Sequence, residues 1–226
     1  MGCRYRIGIE EAELRGLTLE KTIVLLLTLG NALQDAGIAA WYAKAKWLSS
    51  RPITALQCIH QNQDVTAWRG PYMGTGLRQG GTWQPYQSVT FVTPPFPGYI
   101  SGHSTFSAAA ARVLTRTFNN NKIKGAKCYQ VEAGSSAVEP KITAGQQGWV
   151  PGFTDRPSVN GGPGYSPGRP VVLCWDSFQD QADQSGFSRL LGGIHVAKDN
   201  VDGLVLGDII GNKVADTINA FVPGNL

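Results

Sequence analysis

Apolar residues recur at helical spacing from residue 17 to about residue 47, with Thr18 placed to cap the start and Glu20 and Lys21 in the first turn. The most apolar part, residues 22–33, is about a dozen residues long, too short for a bilayer. It runs into Gln34 and Asp35, and so predicts a buried core helix. Pro52 closes this region, and residues 53–59 have room for a short helical turn. A second strong helix is predicted from Ser101, with Phe106, Ala110, Val113 and Leu114 as its apolar stripe and Asn119-Asn120-Asn121 as its end. Two more follow, over residues 175–191 and 197–221. Residues 61–100 and 145–170 are Gly- and Pro-rich and read as long loops over a scaffold, a length often given to lids or contact arms. One small hairpin is expected, from Cys128–Val131 with 141–143. The pattern predicts an all-α helical bundle over 17–222, between an N-terminal segment 1–16 and a tail 223–226.

Composition narrows this picture. A chain of 226 residues suffices for one domain with a buried core, and 42% apolar residues disfavour disorder. Few charges (16%) and 28 glycines fit long loops, buried interfaces or both. Twenty basic against 16 acidic residues leave +4, too weak and scattered for a nucleic-acid footprint. The first 16 residues are charged before any apolar run, so no signal peptide is visible and the protein is expected to be soluble. Gly2-Cys3 makes a poor lipidation signal, because residue 6 is Arg. Cys3, Cys58, Cys128 and Cys174 are too dispersed for zinc and too few for a disulfide scaffold. A Cys128–Cys174 bridge is possible, but buried free thiols are the favoured reading.

Three polar segments carry the chemistry. Lys44 and Arg51 are seven apart, which on a helix puts both on one face, where two cations repel unless an anion lies between them. Ser101-Gly102-His103 stands where a loop enters a helix, and the N–H groups and dipole there favour an anion. Gly102 lets backbone approach a ligand, while Ser101 either caps the helix or donates its hydroxyl to an oxyanion. His195 and Asp199 are four apart, so the carboxylate can fix the imidazole tautomer and raise its basicity. Arg189 would face away from His195 on one straight helix, but Gly192 and Gly193 permit a break that turns both toward one pocket.

Taken singly, these segments are an exposed helix face, a cap and a structural pair. Together, Lys44, Arg51 and Arg189 with two histidines match a tetrahedral or trigonal-bipyramidal oxyanion such as phosphate or vanadate. No Asp/Glu cluster for magnesium or calcium accompanies them. His60 joins no cluster and reads as structural. The tryptophans read as packing, with Trp83 the one placed to line a pocket.

The three segments resemble the signature of the type 2 phosphatidic acid phosphatase superfamily, K-x6-R-P, S-G-H and S-R-x5-H-x3-D. Every specified position is present: Lys44, Arg51, Pro52, Ser101, Gly102, His103, Ser188, Arg189, His195 and Asp199. That superfamily holds membrane lipid phosphatases, soluble bacterial acid phosphatases and vanadium-dependent haloperoxidases. Residues 94–106 are similar to the haloperoxidase form of the second motif, and residues 30–41 resemble the helix before the lysine in bacterial haloperoxidase-like proteins. The long gap from His103 to Arg189 and the absence of an expected membrane span point the same way. Phe96 stands where chloroperoxidases and bromoperoxidases differ, which leaves the halide open. Tyr42 and Ser50 depart from the acidic and aromatic residues of many bacterial relatives. The region before Lys44 is short for the family, so a homo-oligomer or a preceding region is expected to cover exposed apolar faces.

The resemblance implies vanadate bound axially by His195, its oxygens held by Lys44, Arg51, Ser101, Gly102 and Arg189. His103 is then the acid–base group and Asp199 orients His195. Hydrogen peroxide would oxidise a halide to a hypohalous species that halogenates a small organic acceptor. The same residues also describe a phosphatase without vanadate, in which His195 attacks phosphorus and His103 protonates the leaving group. A third reading is a non-catalytic oxyanion-binding relative.

Overall fold

The computed structural model describes residues 2–69, 73–87, 91–125, 127–158 and 164–222. Six α-helices build the frame: α1 (Gly2–Leu14), α2 (Leu19–Trp47), α3 (Pro52–Ile59), α4 (Gly102–Phe118), α5 (Phe178–Leu191) and α6 (Ala197–Phe221). Local chemistry sets most of the boundaries. Thr18 Oγ1 accepts from the Lys21 N–H and caps α2, and Ser101 caps α4 through the Ser104 N–H. Ser177 and Asp180 form a reciprocal capping box at α5. Pro52 occupies the first turn of α3, where a missing N–H costs nothing. Leu48 and Asn119, both with φ of 47°, close α2 and α4 in the left-handed conformation.

Helix α4 is the centre. Its small residues Ala108, Ala109, Ala110 and Ala111 are all buried, which lets α2, α5 and α6 approach it from different sides. Leu25, Leu29, Ala32, Leu33 and Ala36 form the buried face of α2, and Phe178 and Ala182 that of α5. Helix α6 meets α4 through Gly203, Gly207 and Gly211, one per turn. A Cβ at Gly203 would lie 2.9 Å from Ser101 O and one at Gly211 2.6 Å from Ala109 O; one at Gly207 would overlap Thr105 O. This close seam holds the start of α4 against the start of α6. By length and composition alone the Leu19–Ile59 stretch is apolar enough to cross a membrane, and nearly half of its most apolar window is buried inside the bundle.

Several expectations are corrected. The N-terminal segment, where the apolar pattern gave no element, contains α1. This helix buries Ile7 and Ala12 in the core and adds polar ties: buried Glu11 accepts from the Lys124 and Gly125 N–H groups (2.9 and 2.6 Å) and pairs with Arg15 at 2.9 Å. The loop 61–100 contains an antiparallel hairpin, β1 (Asp64–Trp68) with β2 (Thr75–Gln79). The strand β3 (Cys128–Val131) does form, but pairs with β4 (Val171–Cys174), not with residues 141–143. Residues 171–174 and 141–143 both carry β-branched residues, so local propensity does not choose between them, and the pairing is set by tertiary packing. That register sets Cys128 opposite Cys174, and the two are joined as a disulfide; Cys58 is exposed, so the buried-thiol expectation fails for all three. Because residues 171–174 are strand, the helix expected from 175 begins at 178. The tail 223–226 lies outside the described residues.

Candidate active site

Lys44 and Arg51 do not share a helix. Helix α2 ends at Trp47, and Arg51 stands at the N-cap of α3, so the two converge across a turn. Lys44 is 3% exposed, and its ammonium spends three hydrogen bonds on the Pro97, Gly98 and Ile100 carbonyls (2.9, 2.8 and 2.6 Å). This ties the loop before α4 to the end of α2. Burial, and next the Arg51 charge, push Lys44 down to about 8, against the pull of Asp199. Arg51 donates from Nε to Phe96 O (2.8 Å) and from Nη1 to Ile194 O (2.9 Å). The Phe96 ring lies under both cations, 5.4 Å from Lys44 Nζ and 5.1 Å from Arg51 Cζ.

The break between α5 and α6 forms as the glycines predict. Gly192 ends α5 and Gly193 takes φ of 72°, a conformation an L side chain rarely adopts. Arg189 and His195 thereby line one cavity. His195 and Asp199 are both buried, and Nδ1 lies 2.8 Å from Asp199 Oδ2. The other nitrogen, Nε2, lies 3.0 Å from Arg51 Nη1. A carboxylate on one side and a guanidinium on the other place the proton on Nδ1 and the lone pair on Nε2. Burial lowers the His195 pKa, the Asp199 bond opposes it, and Arg51 and Lys44 add to the lowering.

The cavity holds about 220 Å³. Arg4, Lys44, Arg51, Arg189, His103, His195 and the backbone of Gly102 line its polar part; Trp41, Phe91, Pro94, Phe96, Phe106 and Ile194 line the rest. No carboxylate is among these described lining residues. His103 is exposed and lines the cavity. Close packing around the rest of the ring, then the Arg189, Arg4 and His195 charges, push it down to about 4. It is therefore neutral at pH 7. Gly102 and His103 open α4, so their N–H groups have no partner within the helix and add positive potential.

Of the sequence-predicted residues, Lys44, Arg51, Gly102, His103, Arg189 and His195 all reach the cavity, with Asp199 behind His195. Ser101 does not line it. It is fully buried, accepts from the Ser104 N–H, and lies 2.8 Å from Ser104 Oγ, which in turn reaches Asn200 Oδ1. Trp83 is likewise absent from the lining; Trp41 takes that place, stacked 5.5 Å from Phe96 and 6.3 Å from Phe106. Of the lining residues, Trp41 was expected only to pack, and Arg4, Phe91 and Ile194 had no expectation attached. Trp41 sits three residues before Lys44, one helical turn, which was a usable signal. Arg4 had none.

Fold and cavity describe an all-α bundle with a cationic pocket that has no carboxylate among its described lining residues. A family model described as "VCPO second helical-bundle domain" matches residues 24–224. The chain belongs to this family, the vanadium haloperoxidases. The structure of a holo-type bacterial vanadium-dependent chloroperoxidase is similar to it with TM-score 0.74 and 21% identity, over 99% of this chain and 42% of that one. The apo-type bacterial chloroperoxidase gives 0.67 and 23%, over 91% and 38%. A bacterial vanadium-dependent iodoperoxidase gives 0.58 and 25%, over 95% and 38%. The chain thus spans well under half the length of these structures. No curated protein matches it.

Proposed function

We propose that the cavity binds vanadate and that the chain acts as a vanadium-dependent haloperoxidase, using hydrogen peroxide to oxidise a halide that then halogenates a small organic acceptor. The observation that carries this is the His195 Nε2 lone pair, oriented by Asp199 and surrounded by cations, with no carboxylate among the described lining residues. A bare metal cation would be repelled there; an oxyanion fits both the charge and the donor set. His195 would bind the vanadium, and Arg51, Arg189 and the Gly102 N–H would hold its oxygens. Lys44 contributes its charge from behind, since its three donors serve the loop carbonyls. When bound, vanadate supplies Lewis acidity toward peroxide without a redox change of the metal.

The protein's own tasks follow from the geometry. Asp199 keeps Nδ1 protonated, so Nε2 stays available as a ligand. His103, neutral and lining the cavity, accepts a proton from an entering acid and returns it to a leaving oxygen. Trp41, Phe91, Phe96 and Phe106 limit water around the reacting group and give an organic acceptor an apolar surface.

The same Nε2 lone pair suits attack on phosphorus, forming an N–P bond as the P–O ester bond breaks; His103, protonated once the bound phosphate dianion raises its pKa, gives its proton to the leaving oxygen, and water then cleaves the N–P bond. This supports a phosphatase as the second reading. The deciding experiment is bromination of monochlorodimedone by chelator-stripped protein with bromide and peroxide, with and without orthovanadate. Activity that requires orthovanadate supports the haloperoxidase. Its absence, with vanadate-inhibited hydrolysis of p-nitrophenyl phosphate, moves the assignment to the phosphatase.

A further inference from the structure

Arg4 belongs to none of the three polar segments, yet it lines the same cavity as His103 and Arg189. Its Nη2 donates to Ser107 Oγ at 2.6 Å. Ser107 lies one turn beyond His103 on α4, so both occupy one face of that helix. Ser107 Oγ in turn donates to Ser185 Oγ at 3.0 Å, and Ser185 lies one turn before Arg189 on α5. The guanidinium is therefore located where the His103 face of α4 meets the Arg189 end of α5. Its presenting helix is anchored at several points: Glu11 accepts from Lys124 and Gly125, Glu10 accepts from Tyr129 (2.7 Å), and Arg15 donates to Lys122 O (2.7 Å).

We infer that Arg4 is an additional oxyanion-binding residue of this cavity, delivered by the N-terminal helix. This rests on the oxyanion reading above. Arg4, Arg51 and Arg189 bring three guanidiniums to one cavity with no carboxylate among its described lining residues, and an anion among them offsets their mutual repulsion. Arg4 also contributes to holding His103 neutral, so its charge is felt at the acid–base group. Anion affinity and His103 acidity thus both depend on α1, which lies outside the motif-bearing frame.

The test is titration calorimetry of the full chain with inorganic phosphate, comparing Arg4→Gln with Arg6→Gln. Glutamine retains a donor for Ser107, and Arg6, paired with Glu10 at 2.7 Å on the exposed side of α1, controls for net charge. Arg4→Met, which keeps the stem over Ala110 and Leu114, repeats the test should the glutamine variant not fold. Arg4→Gln should weaken phosphate by roughly tenfold, the scale of a lost charged hydrogen bond. It should also raise the His103 pKa, read by NMR in the anion-free protein, while Arg6→Gln changes neither. Phosphate binding by Arg4→Gln within twofold of wild type, with His103 unmoved, overturns the inference and leaves the oxyanion site standing. A wild-type chain that binds neither phosphate nor vanadate overturns both.

Discussion

Arg51 Nη1 and His195 Nε2 face each other at 3.0 Å, while His195 Nδ1 meets Asp199 Oδ2 at 2.8 Å. The imidazole is thereby held between a cation and a carboxylate in one tautomer. The cation keeps a proton off Nε2, and the carboxylate keeps one on Nδ1. An entering oxyanion finds an unprotonated nitrogen with a positive group already beside it.

Removing the carboxylate should free the tautomer. In Asp199→Ala, orthovanadate affinity is expected to fall roughly tenfold to a hundredfold, the range seen when a ligand histidine loses its orienting partner. Nitrogen chemical shifts of His195 should change from a single Nδ1–H form to a mixture, and its pKa should fall further because Asp199 was raising it. An unchanged tautomer would contradict the assignment.

Anion binding should take up protons. Sulfate carries no exchangeable proton between pH 5 and 9, so it reports the protein's own groups. It raises the pKa of Lys44, which starts at about 8, and of His103, which starts at about 4. Affinity should therefore weaken as pH rises through and above 8, and calorimetry in two buffers of different ionisation enthalpy should show net uptake. The linkage sign for folding follows from the same shift. The unfolded chain binds the His103 proton near 6.5 and the folded chain only near 4, so the unfolded state holds more protons in that window. Anion-free stability should fall as pH drops from 6.5 to 4, and His103→Gln should flatten that slope.

Lys44 and Arg189 should separate structure from binding. Lys44→Met leaves three carbonyls without their donor at a buried position and is expected to cost about 2–4 kcal/mol in denaturant unfolding. Arg189→Gln, whose described bond is to neighbouring Ser188, should stay within about 1 kcal/mol of wild type, as substitutions outside such networks do. It should nevertheless lose sulfate affinity roughly tenfold.

The glycine seam between α4 and α6 should be intolerant. Gly207→Ala would drive a methyl into Thr105 O and the Ala108 side chain, at an expected cost of about 2–3 kcal/mol. Since the seam also sets the distance between the starts of α4 and α6, anion affinity should fall in the protein that still folds.

The sequence was most informative where local chemistry decides the structure. Thr18, Ser101 and Asn119 set helix ends by capping and turn geometry, and α6 occupies 197–221 as its pattern indicated. His195 with Asp199, and the Gly192-Gly193 break, were readable because both depend on a spacing of a few residues. Features set by distant packing were not. The partner of β3 lies beyond a long Gly/Pro-rich segment, so spacing favoured the wrong strand and left the Cys128–Cys174 bond as the less favoured of two readings. The seven-residue interval from Lys44 to Arg51 looked helical, but Leu48 turns the chain. Arg4 reaches the cavity because α1 is held by distant contacts, among them Glu11 with a segment more than a hundred residues away.

The most direct test of the oxyanion site is orthovanadate binding, followed by vanadium-51 NMR and calorimetry, in wild type and His195→Ala. The account predicts one vanadate per chain in wild type, displaced by phosphate, and loss of roughly a hundredfold or more in affinity when the His195 nitrogen is removed. Equal binding by the two proteins, or none by a folded wild type, would contradict it.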